Sequence, residues 1–250
     1  MKISSLTDIG VQREMNQDYF YTSEEAVGPL PNLFMVADGM GGHKAGEFAS
    51  RSAIEWIVRS IQSALGNDPE KILDEAINEA STRILKYARS HSEMKGMGTT
   101  VVAATLLDDE LLVANVGDSR LYVLDQTLHQ ISQDHSLVQE MVRLGEMDPE
   151  TAKHHPDKNI ITRAVGVTET VSVDFFRIDR ESIRSVLLCS DGLTNMVEDA
   201  EIEHLLKDDS LSVSRKVKQL VSQANAAGGR DNITVVLIEN DPNSEVSESC

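Results

Sequence analysis

Short apolar stretches of the length of a β-strand recur along this chain. Polar turns of two to four residues join several of them, as at Asp108-Asp109-Glu110. Such short polar connections favour antiparallel hairpins. The predicted strands cover residues 33–37, 101–107, 111–116, 121–124, 186–189 and 233–238.

Two long segments between the first and second of these strands have the 3.6-residue apolar period of an amphipathic helix. They cover residues 47–65 and 69–89. Asp68 followed by Pro69 supplies an N-cap and a first helical residue for the second segment. Two further helical patterns, at 200–206 and 213–227, precede the last strand.

The order of these elements is typical of the α+β class, because strands and helices come in separate groups. We expect antiparallel sheets with helices packed outside, in one domain spanning residues 1–240. Residues 136–159 are predicted to form a surface flap with two short helices, interrupted at Gly145 and restarted at Pro149. Residues 241–250 are predicted to be a polar, disordered tail.

The charge balance excludes one class of function. Lys and Arg number 23 and Asp and Glu number 41, which gives a formal net charge of −18. A chain of this sign repels nucleic acids and anionic membranes, so we expect it to bind neither. Solubility explains most of the acidity, although some carboxylates could be clustered to hold cations.

Cysteine usage and the start of the chain predict a compartment. The two cysteines, Cys189 and Cys250, offer no disulfide framework, which fits a reducing environment. The first residues lack the apolar core of a secretory signal, and no apolar stretch approaches the roughly 20 residues that span a bilayer. We therefore expect a cytoplasmic protein.

Four aspartates stand where a predicted buried strand meets a glycine. They are Asp38, Asp118, Asp191 and Asp231. A single Asp-Gly pair is usually a turn, but four at strand ends predict a cluster. Buried carboxylates repel one another unless a positive group faces them, and divalent cations with oxygen ligands remove that conflict. Mg²⁺ or Mn²⁺ fits this donor set, whereas zinc would prefer histidine and cysteine.

Seven motifs, in a fixed order, carry a resemblance to a known family. In them the chain resembles the metal-dependent protein serine/threonine phosphatases of type 2C, in their compact bacterial form. The motifs run from Arg13 to Thr234 and so cover nearly the whole chain. They are Arg13-Glu14-Met15-Asn16-Gln17-Asp18, Val36-Ala37-Asp38-Gly39-Met40-Gly41-Gly42-His43, Gly96-Met97-Gly98-Thr99-Thr100, Val116-Gly117-Asp118-Ser119-Arg120, Gln133-Asp134-His135-Ser136, Leu188-Cys189-Ser190-Asp191-Gly192 and Gly229-Arg230-Asp231-Asn232-Ile233-Thr234.

The resemblance implies an architecture and a metal cluster. The fold would be a four-layer α-β-β-α sandwich with two core Mn²⁺ or Mg²⁺ ions and a third, weaker ion at one edge. Asp38 would bridge the core ions, and the backbone carbonyl of Gly39 would join the second. Asp191 and Asp231 would hold the first ion, while Asp118 with Asp191 would bind the third. Asp38 and Asp191 are therefore the predicted catalytic aspartates.

Other residues take supporting roles by the same resemblance. Arg13 would grip the substrate phosphate, which suits a guanidinium beside a metal cluster. Asp18 would support the ions through water, and Asn232 would support the ligands from behind. His43 is the candidate acid that protonates the leaving oxygen, although it stands five residues after Asp38. Gln17 replaces the glutamate that many relatives carry.

His135 has two possible roles. It could be a metal ligand or an acid, or it could be a turn histidine that precedes the flap. The second interpretation is the favoured one.

The predicted activity is hydrolysis of phosphoserine and phosphothreonine in proteins. A water bridging the metals would attack, no phosphoenzyme would form, and a bacterial serine/threonine kinase would be the opposing enzyme. We expect the enzyme to be a monomer. A thiol nucleophile is disfavoured, because Asn195 stands where Cys189 would need an arginine.

Two alternatives stay open. A pseudoenzyme would be expected to lack Asp38, Asp191 or Asp231, and all three are present. A hydrolase of small phosphorylated metabolites would need the same metals, so the sequence does not exclude it.

Overall fold

This computed structural model describes residues 1–42, 44–153 and 155–240. These residues contain eleven β-strands and seven α-helices. The strands are β1 Lys2–Asp8, β2 Asp18–Ser23, β3 Leu33–Met40, β4 Gly98–Thr99, β5 Val101–Leu106, β6 Glu110–Val116, β7 Arg120–Leu124, β8 Leu128–Gln130, β9 Asp174–Asp179, β10 Ser185–Cys189 and β11 Ile233–Glu239. The helices are α1 Lys44–Ser63, α2 Pro69–Ser90, α3 Leu137–Arg143, α4 Pro149–Lys153, α5 Asp191–Thr194, α6 Asp199–Leu206 and α7 Val213–Ala226.

The strands form two antiparallel sheets. The first sheet has the order β1-β11-β10-β7-β8. The second has the order β2-β3-β5-β6-β9, with the short strand β4 paired to the end of β3. Every strand pair is antiparallel, as the short polar turns predicted.

Three apolar cores separate four layers. One core lies between the helix pair α1–α2 and the second sheet, one lies between the two sheets, and one lies between the first sheet and α5–α7. Fully buried members of the three cores, in that order, are Ile57 and Ile77, Phe34 and Leu188, and Leu193 and Leu220. The architecture is therefore the predicted α-β-β-α sandwich.

Central strands are apolar on both faces because each sheet is covered on both sides. Leu187 and Leu188 point to opposite faces of β10, and both are buried. This explains why the predicted strands appear in the sequence as continuous apolar runs. The sequence did not predict five of the strands. Three of these, β1, β2 and β9, are half-buried edge strands with many polar residues, and the other two, β4 and β8, are only two and three residues long.

The predicted flap segment contains the two predicted short helices, α3 and α4. Gly145, which follows α3, has a φ of 74°, a conformation that favours glycine. The two ends of the flap meet, since the Leu137 N–H donates to the Ile160 carbonyl at 2.8 Å. The predicted tail, 241–250, lies outside the described residues, and the single-domain assignment stays a prediction. Within the described ranges, no helix is long and apolar enough to cross a membrane.

Replacing Asp68 should destabilise the fold through α2. Its Oδ1 accepts from the Glu70 N–H at 3.1 Å, which satisfies a helix donor that otherwise lacks a partner. We expect Asp68→Ala to lower the free energy of unfolding by about 1 kcal/mol in urea titrations, and Asp68→Asn to lower it much less. An equal loss in both variants would show that charge, rather than the cap, is responsible.

Candidate metal and phosphate site

The pairing of β2 with β3 places two aspartates opposite each other. Asp18 is the register partner of Asp38. Contrary to the prediction from sequence, β3 does not end before Asp38 but continues to Met40, where it pairs with β4. The backbone of Asp38 is held on both sides: its N–H donates to Thr100 Oγ1 at 2.9 Å, and its carbonyl accepts from Thr99 Oγ1 at 2.8 Å.

The first sheet supplies two more aspartates from neighbouring strands. Asp191 follows the end of β10, and Asp231 precedes the start of β11, which pairs with β10. Gly192 lies against the backbone of Asn232 so closely that a Cβ there would overlap its carbonyl oxygen. Because only glycine fits, the two strand ends can approach each other directly.

Asp118 lies in the turn between β6 and β7. The preceding residue, Gly117, has a φ of 107°, so the turn requires glycine there. The charge of Asp118 acts on Asp38, and the charge of Asp191 acts on Asp118. The structure thus brings together the four aspartates predicted from sequence, together with Asp18.

Withdrawal from water and mutual repulsion act on these carboxyl groups together. Burial raises the pKa of Asp191 to about 6, that of Asp18 to about 7 and that of Asp118 to about 8. Burial, followed by the neighbouring carboxylates, raises the pKa of Asp38 well above its ordinary value. The cluster therefore favours either a proton or a cation between its members.

The donor set fits divalent cations. Asp18 Oδ1 and Asp191 Oδ1 are buried and have no hydrogen-bond partner among the described residues. An unpartnered buried carboxylate oxygen is costly, and Mg²⁺ and Mn²⁺ take oxygen ligands. The described side chains nevertheless do not form a ready-made group of three metal ligands. Asp231, one of the predicted ligands, pairs through Oδ2 with Arg13 Nη2 at 2.7 Å.

Arg13 lies at the rim of this cluster on an N-terminal loop. Its side chain is 47% exposed, which leaves the guanidinium accessible to a ligand. Asn232 holds the loop in place: its Nδ2 donates to the carbonyls of Ile9 and Met15, each at 2.9 Å, and its Oδ1 accepts from the Gln17 N–H at 2.8 Å. Asn232 therefore positions the segment that carries Arg13, next to Asp231.

Gly39 and His43 complete the set of predicted site residues. The Gly39 N–H donates to the Gln17 carbonyl at 3.0 Å, and a Cβ at Gly39 would overlap the carbonyl oxygen of Gly46. Close backbone packing therefore requires glycine beside Asp38. His43 lies outside the described residues, so its assignment as the general acid stays a prediction.

Some residues near the cluster were not predicted to act there. Ser190 Oγ and Thr234 Oγ1 both donate to Asp18 Oδ2 at 2.7 Å. Arg120 donates from Nη2 to Asp134 at 2.7 Å. Its positive charge partly opposes the rise that burial causes in the pKa of Asp118 and of Asp191. The sequence motifs contain all three of these donors, but a hydroxyl or an arginine in a motif does not reveal which carboxylate it faces.

Comparisons with known proteins identify the family of this chain. A family model described as protein phosphatase 2C matches residues 11–237. The serine/threonine phosphatase stp of Listeria innocua is 43% identical over 238 residues, which cover 93% of each chain. Protein phosphatase PhpP of Streptococcus pneumoniae is 37% identical over 244 residues, or 95% of this chain and 97% of that protein. The crystal structure of Stp1 from Staphylococcus aureus has a TM-score of 0.89 at 34% identity, covering 96% of this chain and 95% of the other.

The chain belongs to the protein phosphatase 2C family, because the family model matches most of its length. The predicted family, the sandwich fold and the assignment as a protein serine/threonine phosphatase are confirmed. The roles of individual site residues stay predictions.

Divalent cations should stabilise the fold through this cluster. At a Mn²⁺ concentration 100-fold above its dissociation constant, the free energy of unfolding should rise by about 2.7 kcal/mol. Asp38→Asn should be at least as stable as wild type in chelator, because it removes a repelled carboxylate, but should gain far less from Mn²⁺. Urea titrations with and without Mn²⁺ measure both effects. An equal gain in the two proteins would place the bound ions elsewhere.

The metal-free protein, kept in chelator, should lose stability as pH rises. The ordinary pKa of an aspartate is 3.8, and the folded values of Asp191, Asp18 and Asp118 are about 6, 7 and 8. Between pH 4 and pH 8 the folded state therefore binds more protons than the unfolded state. The free energy of unfolding that comes from these protons is fully present below pH 4 and is lost as pH rises through the folded pKa values. Unfolding of wild type and Asp118→Asn at several pH values should show a shallower loss in the variant. Identical pH profiles would contradict the assignment.

Proposed function

We propose that this enzyme hydrolyses phosphoserine and phosphothreonine side chains of proteins with Mn²⁺ or Mg²⁺ held at the aspartate cluster. The main support for this proposal is the meeting of five aspartates at one edge of the sandwich: Asp18, Asp38, Asp118, Asp191 and Asp231. Two of their buried oxygens lack a partner among the described residues. Members of this family depend on metal ions. The relatives' names, serine/threonine phosphatase and protein phosphatase, support the substrate class.

Each aspartate has a proposed place around the ions. Asp38 and the Gly39 carbonyl, with Asp191 and Asp231, would hold two core ions. Asp118 would hold a third, weaker ion together with Asp191. This arrangement is supported by the contact between the Asp38 and Asp191 carboxyl groups, and by the charge of Asp191 acting on Asp118.

Bound ions would supply an attacking water of lowered pKa and would neutralise charge on the phosphoryl oxygens. The chain itself supplies the orientation of the substrate. Arg13 presents a fork of N–H donors that matches two phosphate oxygens. Arg13 is paired with Asp231 in this structure. Binding of a substrate phosphate by Arg13 would break this ion pair, and binding of an ion by Asp231 would break it too.

No side chain needs to carry the phosphate as an intermediate. The only cysteine among the described residues, Cys189, is buried, and burial raises the pKa of its thiol to about 12. The described residues therefore offer no thiolate nucleophile at neutral pH. Asp18 is held by Ser190 and Thr234 and serves to support the cluster, as Asn232 supports the Arg13 loop.

The cellular setting forms part of the same proposal. We place the enzyme in the cytoplasm as a monomer that opposes a serine/threonine kinase. The paucity of cysteine and the absence of a membrane-spanning helix from the described residues support that placement.

Loss of Asp191 should abolish turnover. Wild type should release phosphate from a phosphothreonine peptide in Mn²⁺ and stop on addition of chelator. Asp191→Asn should lower kcat by more than about a hundredfold, beyond the effect usual for groups that only orient a ligand. The matched control is Asp209→Asn, an exposed aspartate paired with Arg184 beside the opposite end of β10.

Turnover that survives both chelator and Asp191→Asn would overturn the metal mechanism. Faster turnover of a phosphosugar than of the phosphopeptide would instead favour a hydrolase of small metabolites.

A further inference from the structure

His135 is buried between the Asp118 turn and the base of the flap. Only 3% of its surface is exposed. The Gly117 N–H donates to His135 Nδ1 at 3.0 Å, and His135 Nε2 lies 3.1 Å from Asp174 Oδ2. Since Nδ1 accepts, the proton of the neutral ring is on Nε2 and is donated to Asp174. Burial lowers the pKa of His135, which agrees with a neutral ring.

Both polar groups of the Gly117 backbone bind this histidine, and the Gly117 carbonyl also accepts from Asn115 Nδ2 at 3.3 Å. The His135 N–H donates to the Gly117 carbonyl at 2.9 Å, while the ring accepts from the Gly117 N–H. Gly117 directly precedes Asp118 and has a positive φ, so its peptide orientation decides where the Asp118 side chain points. His135 is therefore positioned to set the geometry of that carboxylate.

The other side of His135 meets the segment that returns from the flap. The Thr162 N–H donates to the His135 carbonyl at 2.7 Å. Arg163 Nη1 donates to Asp174 Oδ1 at 2.6 Å, so one carboxylate binds both the histidine ring and the flap base. The His135 ring thus contacts both the Gly117 turn and Asp174, and its Nε2 also lies 3.2 Å from Arg163 Nη1.

We propose that His135 is a positioning residue, which holds the Gly117–Asp118 turn in the shape that the weakest cation needs and links that turn to the base of the flap. The proposal rests on the function proposed above, in which Asp118 binds that cation. His135 is neither a metal ligand nor an acid, because both ring nitrogens already have partners in the protein. It is also more than the turn histidine expected from sequence, since its ring is buried.

Two amide substitutions test the two ring nitrogens of His135 separately. His135→Asn keeps an acceptor near the position of Nδ1 and loses the donor to Asp174. His135→Gln places its amide near the position of Nε2 and leaves the Gly117 N–H without an acceptor. Mn²⁺ binding without substrate, measured by calorimetry, should show the dissociation constant of the weakest ion raised by about tenfold or more in His135→Gln. His135→Asn should retain most of that affinity.

Kinetics test the link to the flap. The ratio of KM for a phosphoprotein to KM for a small aryl phosphate should rise in His135→Asn and in Asp174→Asn, because both break the connection from the ring to the flap base. Equal effects of the Asn and Gln changes on Mn²⁺ affinity, or no effect of either, would overturn the proposal. Should His135→Gln fail to fold, the KM ratios of the other two variants decide, and an unchanged ratio rejects the link.

Failure of this proposal is distinguishable from failure of the proposed function. Wild type that binds no Mn²⁺ or releases no phosphate would reject the function itself. Wild type that does both, with variants that match it, would reject only the role of His135.

Discussion

The gathering of five buried and half-buried aspartates at one edge of the sandwich, where they lose water and repel one another, is the constraint on which this structure depends. Carboxylates that are withdrawn from water and repel one another stay ionised only if a positive charge lies close to them. Arg13 and Arg120 supply part of that charge, and both lower the pKa of Asp191. Their contribution is incomplete, because the pKa of Asp191 is still raised. The remaining deficit of positive charge is what makes the rim a site for cations.

Apolar packing is what forces the acids together. The central strands that lead to the rim, β3, β6, β10 and β11, are buried on both faces, so their register and their direction are fixed by the three cores. These strands then bring their aspartates, Asp38 within β3 and the others in the segments next to strand ends, to the same edge. Close backbone contacts at Gly39 and Gly192 allow that approach. The favourable burial in the cores offsets the unfavourable charge at the rim, which is the usual cost of a functional site.

Much of the architecture could be predicted from the sequence, and so could the aspartates that meet at the candidate site, although their roles stay predictions. Continuous apolar runs identified the central strands, and the position of Asp68 located the start of α2, because those signals are local. The edge strand β9 was not predicted, since its half-buried residues alternate imperfectly. The extent of β3 was also wrong, because pairing with β4 carries it past Asp38.

The missing parts of the site are those that depend on contacts distant in sequence. The pairing of Arg13 with Asp231 spans 218 residues, and that of Ser190 with Asp18 spans 172. No local pattern indicates such partners. The same holds for His135, whose link to Asp174 follows from the packing of the flap base against β9.

The most direct test of the central claim is a crystal structure grown with Mn²⁺, with diffraction data collected at the manganese absorption edge. We expect anomalous density among the carboxylates of Asp38, Asp191 and Asp231, with Asp231 turned away from Arg13. Aspartates that remain as they are here, with Asp231 on Arg13 and no anomalous density between them, would contradict the account.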